Sequence, residues 1–472
     1  MNRRWIVPCG LLVGLAVLAL FTTDVPQMRT GRPAQAGDIA WILTATGLVL
    51  LMTPGLSFFY GGMVGSRNVI STMLQSFVAL GVVSLVWLAV GFSLAFGDSW
   101  HGFIGNPFTF AMFRGVGVST DPVLSPTVPL LLFAMFQLKF AVITPALVTG
   151  SFAERVRFSA YLLFICLFTI FVYAPLAHWT WHPQGFLKQW GVLDFAGGTV
   201  VHMSAGFAAL AGAIYLGPRM THNRSVAHPP SNTTYVLLGT GMLWFGWFGF
   251  NAGSALAADE VAVHAFATTN TASAAAMLAW MFFDGLRGRR PSALGACIGA
   301  VVGLVAITPA AAYVSVPHSI FIGVAASLLS NVAVHLKSRS TLDDTLDVFP
   351  CHGVGGIAGM ILTGALARGV GLMSGHTDTF LRHLLALVIV GAYSFGMSML
   401  IFKVTNAFVS VRVRPEDEAV GLDISQHAEW LALVPAPDGV ASAAHAAPRM
   451  SGTSPGAAAA RDADTEPSKR AV

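Results

Sequence analysis

Two stretches of the chain place ionisable side chains in otherwise apolar surroundings. The first, LDFAGGTVVHMSAG, contains Asp194 and His202, and the second, LDVFPCHGVGGIAG, contains Asp347 and His352. Each has an aspartate at the start of an apolar run and then a histidine among small residues. An ionisable group inside a membrane costs about 3 kcal/mol or more, so these residues need partners or a water-lined path. We interpret them as lining a path; the alternative is that they are buried ties between helices.

The composition indicates where such a path would run. Of the 472 residues, 55% are hydrophobic and only 10% are charged, whereas soluble domains carry about 25% charged residues. Apolar stretches of about 20 residues recur along the chain, which is the length that crosses a bilayer as a helix. We therefore predict an all-α polytopic membrane protein with membrane lipid around it. Nothing in the sequence indicates a nucleic-acid partner.

The apolar stretches predict eleven transmembrane helices. They lie near residues 40–62, 70–96, 127–149, 157–180, 194–216, 234–256, 261–284, 293–314, 317–336, 347–367 and 380–408. If spans one to five and six to ten are two repeats, the odd repeat length gives them opposite orientations. The predicted fold is therefore an inverted 5+5 repeat followed by a final helix.

Spans five and ten carry the two Asp–His pairs and would enter the membrane from opposite faces. His202 lies eight residues beyond Asp194, about 12 Å along a helix. His352 lies five residues beyond Asp347. Because inverted repeats place their shared site near the bilayer midplane, we expect the two imidazoles to meet there.

Residues 1–36 resemble a cleavable signal peptide. Arg3 and Arg4 precede an apolar run, and Ala34 and Ala36 supply the small-x-small pattern of a cleavage site. An extra transmembrane helix is the alternative. With the mature N-terminus outside, the predicted cytoplasmic loops hold twelve Arg and Lys residues against four in the outer regions. This bias favours a cytoplasmic C-terminus in a plasma (inner) membrane.

Aromatic residues supply a second feature. The sixth span contains WFGWFGFNAGSA, with Trp247 and Phe250 three residues apart, and the third contains FAMFQLKF, with Phe136 and Phe140 on one helical face. Trp181 closes the fourth span at its outer end. Such aromatic stripes also occur as lipid-facing or core packing. Aromatic faces attract cations, so the alternative to packing is a vestibule for a small cation.

Five motifs together resemble those of the ammonium transporter family, whose relatives include the Rhesus proteins. They are TPGLSFFYGGMV, ITPALVTGSFAERVRFSA, LDFAGGTVVH, GWFGFNAGSA and DVFPCHG, in order, and the similarity extends over about residues 38–429. The resemblance implies an eleven-helix inverted repeat that assembles as a homotrimer with one pore per subunit. The topology derived from the apolar stretches agrees with it.

The resemblance also implies roles for the vestibule residues. Trp181 and Ser254 match the outer site at which the family recruits ammonium, by an aromatic face and a hydroxyl. Phe140 and Phe250 match a paired phenyl gate below that site, and Phe136 matches a further aromatic residue of the vestibule.

The resemblance assigns the ionisable residues to the pore. His202 and His352 match the family's twin pore histidines, and Asp194 matches an acid near the recruitment site that acts structurally and electrostatically. Ammonium, or its analogue methylammonium, would be bound and deprotonated, and ammonia would cross the apolar pore. The proton would return outside or pass along the histidine pair, since neutral imidazole offers one donor and one acceptor. Potassium has no proton to give up and would be rejected.

One residue departs from the family pattern. Lys139 lies between Phe136 and Phe140, where the family often has a small or apolar residue. By helical geometry it need not face the pore, and a helix interface or an aqueous pocket is the expected location. In the vestibule it would repel ammonium.

The C-terminal region divides into two parts. Residues 412–433 contain GLDISQH, which resembles the family's cytoplasmic regulatory tail, and in relatives a PII-type nitrogen-signalling protein acts there. Residues 434–472 are rich in Ala, Pro, Ser and Gly and are predicted to be disordered. The membrane domain is expected to span 37–411.

Three functions remain open from the sequence. Ammonium transport is the leading hypothesis, and an ammonium sensor that signals through a cytoplasmic partner is the second. A membrane metalloenzyme is the third, but the chain has no HExxH or CxxC motif, and spacings of eight and five do not place ligands one turn apart. We therefore predict no enzymatic activity, no metal and no cofactor.

Overall fold

The structure is a computed structural model that describes residues 5–22, 25–222 and 229–431. Residues 432–472, which include the predicted disordered tail, and residues 1–4 of the predicted leader lie outside the described residues. The described chain contains α1 (Ile6–Leu20), α2 (Ala36–Met63), α3 (Val69–Val86), α4 (Phe92–Phe96), α5 (Leu130–Val148), α6 (Phe158–Phe168), α7 (Ala174–Trp181), α8 (Phe186–Gln189), α9 (Ser204–Leu216), α10 (Thr233–Gly253), α11 (Glu260–Leu286), α12 (Ala293–Ile307), α13 (Val316–Lys337), α14 (Val354–Leu366), α15 (Thr377–Phe408), α16 (Pro415–Val420) and α17 (Leu422–His427).

Shorter elements join or extend these helices. Four π-helical turns lie at Trp87–Gly91, Thr169–Tyr173, Gly198–Met203 and Phe349–Gly353. Two antiparallel hairpins pair β1 (Ser99–Trp100) with β2 (Ile104–Gly105) and β3 (Thr120–Asp121) with β4 (Ser125–Pro129).

Eight helical runs in the described part of the chain are long and apolar enough to cross a membrane. They are Ala36–Met63, Val69–Phe96, Leu130–Phe152, Phe158–Gln189, Gly198–Leu216, Val316–Lys337, Phe349–Leu366 and Thr377–Phe408. The prediction of a multi-pass helical membrane protein is thus confirmed. Helices also occupy the other three predicted spans, but α10 and α11 are less apolar and α12 has only 15 residues. The count of eleven stays a prediction.

Glycines allow the central helices α2 and α10 to pack closely. A Cβ atom at Gly239 would overlap the backbone of Phe59, and one at Gly246 would overlap the side chain of Met52. In a bilayer, where lipid is as apolar as a leucine side chain, such close backbone approach is a main source of helix association. The glycines of α10 therefore allow this helix to pack closely against α2, which fixes the position of its aromatic side chains.

The loops form two faces at opposite ends of the bundle. The hairpin face carries both β-hairpins, and the tail face carries α16 and α17. On the hairpin face, the segment before α2 bonds to the second hairpin: the Gly31 and Gln35 amides donate to the Thr120 and Thr127 carbonyls at 3.0 and 2.9 Å. Cleavage at the predicted site after Ala36 would remove these bonds.

A buried ionic cluster joins three loops on the tail face. The Arg219 guanidinium donates to both carboxylate oxygens of Asp343, at 2.8 and 3.0 Å, and to Glu154 at 2.8 Å. Burial alone would raise the pKa of Asp343, but Arg219 and the nearby Arg155 outweigh it and lower the pKa to about 2. Asp343 is therefore an ionised carboxylate whose main partner is Arg219.

The segment with α16 and α17 is tied to the start of α3. Asp423 accepts hydrogen bonds from the Ile70 and Ser71 amides at 3.1 and 2.7 Å, and the Leu422 amide donates to Asn68 at 2.8 Å. A carboxylate at a helix N-terminus satisfies free N–H groups and complements the helix dipole. The tail thus supplies a cap that α3 does not carry itself.

The ionic cluster generates the first prediction. Replacing Arg219 with Met should lower the free energy of unfolding by about 3–5 kcal/mol, because it leaves Asp343 charged, buried and without its main partner. The measurement is thermal unfolding of the detergent-solubilised protein by intrinsic fluorescence. Arg382→Met is the matched control: it breaks an exposed ion pair with Asp378, which should contribute less than about 1 kcal/mol. Equal melting temperatures for the two variants would contradict the prediction.

Candidate functional site

Two helices begin in the interior of the bundle and face each other. The π-helical turn Gly198–Met203 leads into α9, and the turn Phe349–Gly353 leads into α14. Glycines let the two cross closely, since a Cβ atom at Gly206 would overlap the backbone of Gly353. This crossing brings the histidines of the two turns to one place.

Each of these helices starts on a buried aspartate. Asp194 accepts hydrogen bonds from the backbone amides of Gly197, Gly198 and Thr199 at 2.6–2.8 Å and from the Thr199 hydroxyl. In the second helix the same position belongs to Asp344, which accepts from the amides of the first turn at 3.1 and 2.7 Å. Asp344 precedes His352 by eight residues, the same spacing as from Asp194 to His202.

The sequence interpretation that paired Asp347 with Asp194 is therefore wrong. Asp347 has a left-handed backbone, with φ of 57°, and its carboxylate forms an ion pair with Lys337 at 2.7 Å. It is a loop residue with a charge partner and lines no path. Burial raises the pKa of Asp344 to about 6, although Lys337 and the capping amides act in the opposite direction.

The two imidazoles meet where the helices cross. The Nδ1 atoms of His202 and His352 are 3.3 Å apart, and both rings are almost fully buried. A hydrogen bond between two Nδ1 atoms needs one donor and one acceptor. When both rings are neutral, one therefore carries its proton on Nδ1 and the other on Nε2, and the pair can relay a proton by exchanging these tautomers.

A column of aromatic rings leads from the histidines toward the hairpin face. The Phe250 ring lies 6.1 Å from the His202 ring and 4.2 Å from Phe140, and Phe140 lies 5.9 Å from Trp181. Trp247 stacks on His202 at 5.4 Å. The closely packed, mutually tilted rings of Phe140 and Phe250 are fully buried and separate the histidines from the space above.

Above the phenyl pair lies a cavity of about 240 Å³ that opens on the hairpin face. Its lining includes Phe140, Trp181, Asp194 and Ser254. The Ser254 hydroxyl donates to the Phe250 carbonyl at 2.8 Å, so its oxygen lone pairs are free to accept from a bound donor. Trp181 donates its indole N–H to the Asp194 carbonyl at 3.2 Å, which fixes the ring at the cavity wall.

Two other residues singled out in the sequence, Phe136 and Lys139, do not line the cavity. Phe136 is fully buried and packs at 5.0 Å against the ring of Phe140, so it supports the gate without lining the cavity. Lys139 is also absent from the cavity lining and makes no ion pair with a described residue.

Sequence reasoning missed several residues of this site. Lys188, Gln137 and Tyr313 line the cavity, and no local pattern marked them. Lys188 is exposed at the cavity rim, so the lysine at the cavity mouth is Lys188 and not Lys139. Asp344 was the one missed residue with a detectable signal, since its spacing of eight from His352 repeats that of the other half.

Comparison with known proteins agrees with this geometry. An ammonium transporter from Aquifex aeolicus is 47% identical over 401 residues, which cover 83% of this chain and 92% of the relative. The crystal structure of Saccharomyces cerevisiae Mep2 has a TM-score of 0.77 at 33% identity, covering 81% of this chain and 88% of that one. A structure described as a sensor Amt protein has a TM-score of 0.77 at 31% identity, covering 83% and 98%. Residues 40–431 match the profile of the Ammonium Transporter Family, and with two helices crossing at paired histidines beneath an aromatic cavity, the chain belongs to that family.

Proposed function

We propose that this protein transports ammonium by binding the cation in the aromatic cavity and conducting ammonia past the histidine pair. The observation that carries the proposal is the continuous column from Trp181 through Phe140 and Phe250 to His202 and His352. It joins a site suited to a cation with a buried pair suited to proton exchange. Uptake of radiolabelled methylammonium by the purified protein in liposomes tests the proposal directly.

Recruitment uses groups that favour a cation with N–H donors. The Trp181 ring offers a π face, and the Ser254 oxygen is an acceptor because its own hydrogen is bonded to Phe250. Desolvation in a recessed cavity strengthens the attraction between a cation and an aromatic ring. Asp194 contributes negative charge from beneath, although its oxygens already accept backbone bonds.

The pair of phenyl rings determines whether a cation or neutral ammonia passes from the cavity toward the histidines. With ring centroids 4.2 Å apart, Phe140 and Phe250 leave no room for a hydrated ion until they rotate. A bare cation between two hydrocarbon rings loses its hydration energy, whereas neutral ammonia loses little. Ammonium can become neutral by giving up a proton and potassium cannot, so deprotonation above the gate provides the selectivity.

The histidine pair then receives ammonia in a dry environment. Nε2 of His202 is buried and has no hydrogen-bond partner among the described residues, so it is free to bond to a passing molecule. Two fates of the proton fit the pair: return to the outer side, or transfer along the two imidazoles. Ammonium-evoked current on supported membranes distinguishes them, because only the second carries charge.

Topology and assembly are part of the proposal. Equal Asp–His spacings and two 13-residue helices, α9 and α14, support an inverted 5+5 repeat within eleven spans. Membership of the family supports a homotrimer in the plasma (inner) membrane. The hairpin face would lie outside and the tail face in the cytoplasm, after removal of the leader at 1–36. A PII-type signalling protein is the proposed partner at the tail face.

A second candidate function is sensing. It is favoured by the likeness to the sensor Amt protein and by the tail helices, whose caps on α3 connect a cytoplasmic partner to the bundle. Uptake of methylammonium separates the candidates, since a sensor that transports little would bind ammonium without accumulating it in liposomes.

Removing the histidines should abolish efficient conduction. His202→Ala and His352→Ala should each lower methylammonium uptake strongly, and the double variant should cost less than the sum. Residues that act as one network show coupling energies of about 0.5–3 kcal/mol. Uptake and melting temperature are measured for all four proteins. If both single variants transport like the parent and only their melting temperatures fall, the histidines are structural ties.

Removing the tryptophan face should weaken recruitment. Trp181→Leu should raise the half-saturating methylammonium concentration several-fold, because a cation–π contact contributes about 0.5–2 kcal/mol. Trp179→Leu is the matched control, since Trp179 is buried two residues away, bonds to the Phe103 carbonyl and does not line the cavity. An equal rise in both variants would remove Trp181 from the binding site.

Removing the rim lysine should strengthen recruitment. Two unit charges about 10 Å apart in water repel by about 0.4 kcal/mol, so Lys188→Gln should lower the half-saturating concentration about twofold at low ionic strength. The difference should disappear at high salt, where exposed charges are screened. Arg114→Gln removes a charge on the same face away from the cavity and should have no effect. A salt-independent change would contradict this electrostatic role.

A further inference from the structure

The side chain of Gln137 has no structural partner to explain it. Gln137 lies on α5 three residues before Phe140 and, like Phe140, lines the cavity. Its side chain is only 9% exposed, and its amide oxygen is buried without a hydrogen-bond partner among the described residues. Buried polar groups in folded proteins nearly always have partners, so an orphan amide beside a cavity indicates a ligand.

An apolar residue of the same length would suit the helix better if Gln137 only filled space. Leaving a buried acceptor unpaired is unfavourable, whereas replacing it by an apolar group of similar shape removes the penalty. A methionine has the same unbranched reach as glutamine. Because Gln137 lines the cavity, a molecule bound in the cavity is a partner within its reach.

Tyr313, which also lines the cavity, offers one further hydroxyl. The remaining polar side chains leave the role of acceptor open. Asp194 uses its oxygens on backbone amides and on Thr199, and Lys188 is a donor only. Ser254 provides one acceptor. The two ends of an amide exchange by rotation about one bond, and no bond to the protein holds the Gln137 oxygen, so it can turn toward a bound cation.

We propose that Gln137 is a second hydrogen-bond acceptor for ammonium in the cavity, together with Ser254, and that it distinguishes ammonium from methylated amines. This inference rests on the proposed function. Ammonium has four N–H donors in a tetrahedral arrangement and can bond to both acceptors while its charge faces Trp181. Methylammonium keeps three N–H donors but can reach both acceptors only when its methyl group lies along one of the two remaining tetrahedral directions, whereas ammonium can do so in any orientation. The amide oxygen therefore favours the unsubstituted cation.

The test uses the full-length protein in liposomes with two probes in one assay. Uptake of radiolabelled methylammonium gives its half-saturating concentration, and its inhibition by unlabelled ammonium gives the inhibition constant of ammonium. Gln137→Met should raise the ammonium inhibition constant about tenfold, which corresponds to about 1.4 kcal/mol, and the methylammonium half-saturation clearly less.

Two further variants make the result specific. Gln137→Glu keeps an acceptor at the same place and should leave the ammonium inhibition constant equal to or below that of the parent. Gln75→Met is the matched control: Gln75 is fully buried on α3, both ends of its amide lack partners, and it does not line the cavity. It should leave both constants unchanged.

The outcomes separate this inference from the function on which it rests. If the parent protein takes up no methylammonium, the proposed transport function fails. If the parent is active but Gln137→Met binds ammonium as the parent does, or Gln75→Met shows the same loss, Gln137 is not a ligand. If Gln137→Met is not recovered in folded form, a Gln137→Glu variant with a tenfold weaker affinity for ammonium also overturns the inference.

Discussion

The whole path depends on two helices that begin inside the protein, because such a start exposes backbone N–H groups that lipid cannot satisfy. Asp194 and Asp344 supply the missing acceptors. A carboxylate that accepts several amides fixes the first turn and so sets the helix direction. The helix direction in turn places the histidine eight residues after each aspartate. Two distant parts of the sequence therefore bring the Nδ1 atoms of His202 and His352 to 3.3 Å from each other.

Packing around the crossing keeps it dry and rigid. Glycines at the contact of the two helices and along α10 allow backbones to approach, so that aromatic rings fill the remaining space. Trp247 is held by a bond from its indole N–H to the Thr308 hydroxyl at 2.9 Å, and it stacks in turn on His202. A hydrogen bond between two neutral rings is stronger in such surroundings than in water. Because water is excluded there, a polar group near the cavity that lacks a hydrogen-bond partner is a candidate ligand for a bound molecule, and Gln137 is such a group.

On the tail face, ionic interactions connect the loops. Arg219 joins Asp343 and Glu154. The loop that contains Asp343 continues through Asp344 into the turn Phe349–Gly353 and α14. The tail closes this arrangement from below by capping α3 with Asp423. The Met220 amide, next to Arg219, also donates to Glu418 of α16 at 2.6 Å, so the tail contacts the loop that holds this cluster as well as the start of α3.

The sequence by itself was enough to predict the class of fold, to single out the histidines and aromatic residues as candidates for the site, and to identify the family. Each of these is encoded by local composition or by contiguous motifs. The tertiary structure decided which acid caps the second helix, although the spacing of eight residues between Asp344 and His352 was a signal present in the sequence. Asp343, Asp344 and Asp347 lie within five residues, and their roles differ through their partners. Asp343 bonds to the distant Arg219, Asp344 to the amides of the following turn, and Asp347 to Lys337. The tertiary structure also decided which lysine lies at the cavity, since Lys188 reaches the rim from the short helix α8, whereas Lys139 does not line the cavity. Side-chain direction and long-range contact set these outcomes, and neither is written in local spacing.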